Sequence, residues 1–340
     1  MRRLLIVGSG SLLCVLSCGE TSSRAPTGPV GDTAKPTPTP TVPVAKSFEV
    51  DCSSKHAPRP DNDPAPMCLV PAGEFTMGTP TDDPIETDGP VKRVRISRAF
   101  YMDQHEVTFD QYARFLRDSS RTPCQRAEKY CLSVSSSQRR DGTFRTLESK
   151  GLELDREEIP VKPGFERKPI DEATLAAAVA YCEWAGKRLP TSAEWEFAAR
   201  HDPATKTDRV YPWGDEYKVG VANHFGVIEP KRGRVADVGS FPEDRSATGI
   251  VDLGGNVSER VADCFSRDFD CAVEPCVDPK QVTKCEEVCT GGTAPKKCEP
   301  GSVARGADRG SSPPFLRAKH RYSLMPSTSI GVRCVREVTR

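Results

Sequence analysis

The chain has 340 residues, and its 48 lysines and arginines balance its 48 aspartates and glutamates. A balanced formal charge does not indicate the basic surface that binds a nucleic-acid backbone, so we expect no nucleic-acid partner. The 14 cysteines are many for a protein kept in a reducing compartment. We therefore expect an oxidising environment in which most of them form disulfides.

The first 18 residues have the features of a secretory signal. Met1-Arg2-Arg3 is positive, residues 4–16 form a short apolar run, and Val15-Leu16-Ser17 leads into Cys18. This pattern predicts a lipoprotein signal peptide over residues 1–18, with Cys18 lipidated and holding the protein to a membrane. The alternative is an ordinary signal peptide with an incidental cysteine. Because Gly19 and not an aspartate follows, we expect the cell envelope and, within it, the outer membrane.

Residues 19–48 are rich in proline and threonine. Such a sequence cannot bury a core and favours extended backbone, which predicts a disordered tether. The remaining residues, 49–340, suffice for one large or two small domains, and we interpret them as one. Near its start, Cys52 and Cys68 are close in sequence and predict a local disulfide.

Short strands and a helix follow. Alternating apolar residues predict strands at Val94/Ile96 and Phe100/Met102. Thr108 and Gln111 have the spacing of a capping box, which predicts a helix start. The polar stretch at about 119–168 reads as an insertion in which Cys124 and Cys131 form a second local disulfide.

Two further helices are predicted after this insertion. Asp171 is expected to cap the first, which should end at Gly186; its apolar face would contain Leu175, Ala178, Val179 and Cys182. Thr191 and Glu194 form the second capping-box pattern.

A second insertion, at about 264–300, holds six cysteines between Cys264 and Cys298 and few apolar residues. We expect a self-contained loop with three internal bridges, although six cysteines allow fifteen connectivities and the sequence does not choose among them. Beyond it, Ile330, Val332 and Cys334 alternate as in a strand.

Several segments, in order, resemble the formylglycine-generating (sulfatase-modifying factor) family. They are 75–78, 100–108, 180–191, 193–200, 211–214, 255–257, 303–306 and 331–334, and the stretch from Arg188 to Arg200 is the most specific. The resemblance implies an α+β domain with little regular secondary structure, similar to C-type lectins. The family also commonly joins the positions of Cys182 and Cys334, which should both face inward.

The family's oxidases hold copper(I) between two cysteines placed after the segment that matches Arg305-Gly306, and soft thiolates suit that ion. Here residues 305–321 contain no cysteine. Hydroxyls such as those of Ser311 and Ser312 neither bind copper(I) well nor ionise near neutral pH. The resemblance therefore implies that copper is not bound.

Calcium is the one cofactor that the resemblance still allows. In the family an oxygen-rich site forms around a Gly-Asn-Val-x-Glu loop, and carbonyls with a carboxylate are the ligands that calcium prefers. Gly255, Asn256, Val257 and Glu259 match that loop, and Asn223 resembles a ligand of a second site. The alternative is a tight turn with a solvated Glu259.

Two functions of different classes remain. The missing cysteine pair favours a non-catalytic binding or scaffold module that displays its loops to an envelope peptide or glycan. The alternative is a formylglycine-generating oxidase with displaced thiols.

Overall fold

The computed structural model describes residues 49–58, 63–79, 91–118, 151–153, 158–171, 173–227, 234–267, 271–283, 285–290, 297–324 and 330–338. All of them belong to one compact unit. The predicted signal peptide with Cys18, the tether and the Cys124–Cys131 pair lie outside the described residues. No helix in the described part of the chain combines the length and the apolar character that a membrane crossing requires.

The described residues form three short α-helices, two of them at the predicted capping boxes. Helix α1 spans Phe109–Asp118 and α3 spans Ser192–Arg200. At each start, a threonine side chain accepts the backbone amide of the residue three positions on, and that residue's side chain accepts the threonine's backbone amide. The pairs are Thr108 with Gln111 and Thr191 with Glu194. These bonds satisfy orphan amides of the first turn, which fixes where each helix begins.

Helix α2 spans Leu175–Trp184, and its predicted cap is wrong. Thr174, not Asp171, accepts the hydrogen bond from the Ala177 amide. The predicted apolar face is also partly wrong, because Val179 is exposed and Tyr181 is buried. The helix ends as predicted: Gly186 has a φ of +71°, a backbone conformation that glycine adopts without strain.

The strands are short and form several small sheets. They are β1 (Cys52–Ser53), β2 (Met67–Val70), β3 (Gly73–Met77), β4 (Lys92–Ile96), β5 (Phe100–Asp103), β6 (His201–Asp202), β7 (Thr207–Asp208), β8 (Glu259–Cys264), β9 (Cys276–Val277), β10 (Glu287–Thr290), β11 (Lys297–Pro300), β12 (Ser302–Arg305), β13 (Arg321–Leu324) and β14 (Val335–Glu337).

The main sheet has the order β1-β2-β5-β14 and is antiparallel. Two three-stranded sheets have the orders β13-β12-β8 and β3-β4-β9, and β6-β7 and β10-β11 are separate pairs. The predicted strand at Ile330–Cys334 is wrong in position, since β14 begins at Val335. Cys334 is fully buried all the same.

Disulfides join distant parts of the domain. Cys182 of α2 is bonded to Cys334, with Cα atoms 5.7 Å apart, and Cys52 is bonded to Cys68 across the β1–β2 pair. Both pairings agree with the expectations above. The Cys182–Cys334 bond lies in a core around the aromatic rings of α1 and α2, whereas a second core surrounds α3.

The cysteine-rich insertion is not self-contained. It has two internal disulfides among the described side chains, Cys264–Cys285 and Cys271–Cys276, and Cys289 lies opposite Cys298 in the β10–β11 register. However, β9 pairs with β4 of the core. The insertion therefore shares backbone hydrogen bonds and buried surface with the domain, which its low apolar content did not indicate.

Candidate functional site

The β12–β13 loop, residues 306–320, occupies the position where the resemblance places the two copper-binding cysteines. It begins with a turn in which the Asp308 carboxylate accepts hydrogen bonds from the Gly310 amide and the Ser311 hydroxyl. The Ser311 hydroxyl in turn accepts from the Asp308 amide at 3.0 Å. The turn is thus held by a closed set of hydrogen bonds, and Ser311 serves as one of its partners.

The cysteine side chains in the described part of the domain also form bonds elsewhere. Every cysteine whose side chain the structure describes is in one of the four disulfides. Leu316, further along the β12–β13 loop, is buried. Because a disulfide sulfur is not a thiolate ligand, the described side chains supply no pair of thiolates for copper(I).

Aromatic side chains lie on and beside this loop, and we refer to Trp213, Tyr217, Phe225 and Phe315 as the aromatic patch. Tyr217, Phe225 and Phe315 are 37–49% exposed. The Phe225 amide donates a hydrogen bond to the Ser311 carbonyl, which ties the patch to the loop. Exposed rings next to a rigid turn are typical of binding surfaces.

The patch rests on a small buried cluster. Tyr211 stacks on Trp213 with 5.0 Å between ring centroids and packs in one cluster with Ala307 and Leu316 of the β12–β13 loop. The Tyr217 hydroxyl lies 3.2 Å from Nε2 of His224. Burial lowers the pKa of His224, so its neutral ring can accept this hydrogen bond. These contacts fix the rings of Trp213 and Tyr217 before any ligand arrives, which limits the entropy lost on binding.

The predicted calcium residues form two groups. Asn223, Gly255 and Asn256 lie together: the Asn256 amide donates to the Asn223 carbonyl at 2.8 Å, and Asn223 Nδ2 donates to Asn256 Oδ1 at 2.9 Å. Val257 is buried beside them. Glu259 instead binds Arg333 and Trp195 in a buried network.

Both carboxylate oxygens of Glu259 are engaged. Oε1 accepts from Arg333 Nε and Nη2 at 2.9 and 2.7 Å, and Oε2 accepts from Trp195 Nε1 at 2.6 Å. Arg333 also donates to the carbonyls of Asp103 and Val251. Glu259 therefore acts as the counter-ion of a buried guanidinium in this structure, and no pattern in the sequence indicated that pairing.

A group of buried carboxylates lies near these residues. Burial, together with the neighbouring Asp252 carboxylate, holds the pKa of Glu106 and that of Asp244 well above the usual range. Oε1 of Glu106 and Oδ1 of Asn223 are buried without a hydrogen-bond partner among the described residues. Asn256 links the two side chains, since its Nδ2 lies 3.5 Å from Glu106 Oε2.

Buried oxygens of this kind are the ligands that a hard cation prefers. Unpaired buried oxygens and surplus carboxylates are stabilised by a bound ion of the calcium type. No three His, Cys, Asp or Glu side chains in the described residues converge as metal ligands, so amide and main-chain oxygens would have to complete the set. Sequence reasoning missed Glu106, although it stands in one of the resembling segments.

Comparison with known proteins gives the family context. Residues 53–338 match the family model described as "Sulfatase-modifying factor enzyme 1-like domain". The chain is 34% identical over 253 residues to the formylglycine-generating enzyme of Bos taurus, covering 64% of this chain and 62% of that protein. It is 31% identical over 218 residues to the inactive C-alpha-formylglycine-generating enzyme 2 of Bos taurus, covering 58% and 70%.

A third relative is much longer than the shared region. The chain is 29% identical over 290 residues, or 84% of its length, to the serine/threonine-protein kinase pkn1 of Chlamydia pneumoniae, and it spans about 40% of that protein. Among solved structures, PvdO from Pseudomonas aeruginosa matches with a TM-score of 0.55 and 26% identity, over 81% of this chain and 95% of PvdO. This likeness agrees with the expected α+β, C-type-lectin-like fold.

Proposed function

The chain belongs to the sulfatase-modifying factor enzyme 1-like family, and within that family we propose that it is a non-catalytic binding module. One observation carries this proposal. The β12–β13 loop has no cysteine, and its turn is closed by hydrogen bonds between Asp308 and Ser311. The oxidation of a substrate thiol by copper(I) and oxygen needs two thiolates at that place.

The likeness to relatives does not by itself separate the two classes. The family contains a protein named as an enzyme and one named as inactive, at similar identity to this chain. The chemistry of the loop supports the second class. The competing function, a formylglycine-generating oxidase with displaced thiols, would need ligands from cysteines whose side chains lie outside the described part.

A direct assay tests the proposal. The full chain is incubated with copper(I), oxygen and a peptide containing Cys-x-Pro-x-Arg, and the product is weighed by mass spectrometry. The formylglycine-generating enzyme of Bos taurus, assayed in parallel, shows that the conditions support the reaction. We expect no conversion of the thiol to an aldehyde by this chain. Conversion at a rate proportional to its concentration would overturn the proposal.

The aromatic patch is the surface proposed to bind. Its ligand would be a peptide or glycan of the cell envelope, because exposed rings stack on sugar faces and on apolar side chains alike. We expect Phe225→Ala to weaken binding of a ligand found by screening peptides and glycans. Val219→Ala is the matched control, since Val219 is 81% exposed but not part of the ring cluster. Equal loss in both variants would argue against the patch.

Calcium is proposed as a structural cofactor of the same face. Asn223 Oδ1, Glu106 Oε1 and the main-chain carbonyls of Gly255 and Val257 would supply its oxygens, and the ion would offset buried negative charge. We expect calcium, but not magnesium, to raise the melting temperature, and Glu106→Gln to abolish that rise. A rise that persists in this variant would place the ion elsewhere.

The envelope location is proposed from the sequence of residues 1–19. Lipidation of Cys18 would hold the domain at the outer membrane through the tether. Replacing Cys18 by alanine should move the protein from the membrane fraction to the soluble fraction. Unchanged fractionation would contradict the lipid anchor.

A further inference from the structure

His201 and Asp208 form a hydrogen-bonded pair on the β6–β7 strands, beside β3. Nδ1 of His201 lies 3.0 Å from Oδ1 of Asp208, and Oδ2 of Asp208 accepts the Thr76 amide at 2.9 Å. Burial alone would raise the pKa of Asp208, but the hydrogen bonds from His201 and from the Thr76 amide lower it below its usual value. The ionised carboxylate requires a proton on Nδ1, so the neutral ring of His201 has its lone pair on Nε2.

Nε2 of His201 is an open hydrogen-bond acceptor. It has no partner among the described residues and is not one of their fully enclosed polar atoms, although the side chain as a whole is only 8% exposed. The ring stacks on Phe197 with 4.6 Å between centroids. This stacking and the bond to Asp208 together fix the direction of the lone pair, so a ligand that donates a hydrogen bond would meet the acceptor at a defined place.

The pocket at this nitrogen has apolar walls. His201 lines a cavity of about 530 Å³, a size within the range of sites that take small ligands. Gly73 lines the same cavity, and a β-carbon at its position would lie 3.4 Å from Nε2, so glycine keeps the approach to the acceptor clear. A single acceptor in such surroundings suits a ligand with one hydroxyl on an otherwise apolar body. The apolar part of the lining consists of Pro71, Ala72 and Pro203.

The charges of the lining favour a neutral ligand over an ionic one. Glu74 and Lys206 contribute one charge of each sign. A carboxylate ligand would face an acceptor instead of a donor at Nε2 and would be repelled by Glu74. An ammonium ligand would find no unpaired carboxylate among the described lining residues. The carboxylates at and beside the pocket are paired with arginines, Glu74 with Arg93 and Arg95 and Asp202 with Arg209.

We propose that this pocket binds the side chain of a tyrosine in a peptide partner, with the phenolic O–H donating a hydrogen bond to Nε2 of His201. The phenol ring packs on the proline and alanine side chains, and burial of so large an apolar surface supplies most of the affinity. A tyrosine hydroxyl that is buried needs a partner, and Nε2 provides it. A sugar carries hydroxyls around its whole ring and gains less from the apolar wall. The pocket shares no residue with the aromatic patch, so the proposal does not depend on that surface.

The test uses the full chain and two small probes that differ only by the hydroxyl, N-acetyl-tyrosine amide and N-acetyl-phenylalanine amide. The backbone amide signal of Ala72, which lines the pocket, is followed by NMR during titration at pH 8, where free imidazole is neutral. We expect a saturable shift with the tyrosine probe. The phenylalanine probe should bind about tenfold more weakly, because it lacks one hydrogen bond.

A substitution of the acceptor assigns this preference to His201. His201→Phe keeps a ring that can stack on Phe197 but removes Nε2, and we expect it to lose the preference for the tyrosine probe. His56→Phe is the matched control, because His56 also bonds to an aspartate, Asp51, at 2.8 Å and stacks on Tyr101. We expect His56→Phe to keep the tenfold preference.

Three results would overturn the proposal. The first is the absence of a saturable shift with the tyrosine probe, and the second is equal affinity of the unsubstituted chain for the two probes. The third is a preference for the tyrosine probe that persists in His201→Phe. If His201→Phe does not fold, as judged by circular dichroism, the comparison of the two probes on the unsubstituted chain still decides.

Discussion

The Glu259–Arg333 pair offers a quantitative prediction for stability. Arg333 and Glu259 are almost wholly buried, with 0% and 1% exposure of their side chains. Glu259→Gln keeps the shape of the side chain but removes the charge opposite the guanidinium. Breaking one partner of a buried pair costs about 3–5 kcal/mol, because a charge is left uncompensated. That is a large part of the ~5–15 kcal/mol that holds a domain folded.

The measurement is guanidinium-induced unfolding with the disulfides intact. Glu337→Gln is the matched control, since Glu337 pairs with Arg188 at 2.6 Å on the surface, and such pairs contribute about 1 kcal/mol or less. Replacing both buried partners, as Glu259→Leu with Arg333→Met, should recover part of the loss. A loss in Glu259→Gln no greater than in the control would refute the assignment of Glu259 as a structural counter-ion.

Three other outcomes follow from the same contacts. Replacing Cys182 and Cys334 together by alanine should lower the free energy of unfolding by about 4–5 kcal/mol in the chain-entropy treatment of so long a loop; an unchanged midpoint would be the contrary result. Thr191→Ala removes the cap of α3 and should cost about 1 kcal/mol, whereas Thr205→Ala, in an exposed turn, serves as the control. Burial raises the pKa of Asp263 from 3.8 to about 6. Between about pH 4 and 6 the folded state therefore holds a proton on Asp263 that the unfolded state has lost. The free energy of unfolding falls as the pH rises through this range, by roughly 3 kcal/mol from this group. The free energy of unfolding of Asp263→Asn, measured across this pH range, should lack this contribution. The same dependence on pH in Asp263→Asn and in the unsubstituted protein would contradict the prediction.

Local patterns in the sequence predicted the local structure well. Two capping boxes and the glycine that ends α2 depend on residues within four positions of each other, and their hydrogen bonds form wherever the helix forms. The start of α2 was wrong for an equally local reason. Thr174 stands next to the first helical residue, and Asp171 is three residues too early to reach the first amides.

Contacts between residues far apart in the sequence could not be predicted in this way. The resemblance allows either a calcium ligand or a solvated side chain at Glu259, whereas in the structure its carboxylate binds Arg333, 74 positions away. The composition of the cysteine-rich insertion predicts a separate unit, but two residues of β9 pair with β4 across about 180 positions. Neither contact leaves a periodicity or a spacing in the sequence, since each depends on how distant segments pack.

The Cys52–Cys68 bond determines how this domain would respond to a pull on its N-terminal side. Strand β1 is an edge strand of two residues, and by itself it would peel away from β2 one hydrogen bond at a time under a small force. The covalent link passes the load directly to β2, which lies between β1 and β5. Tension at Glu49 therefore acts on an interior strand of the main sheet. Only the few residues that precede Cys52 can extend before the sheet bears the force.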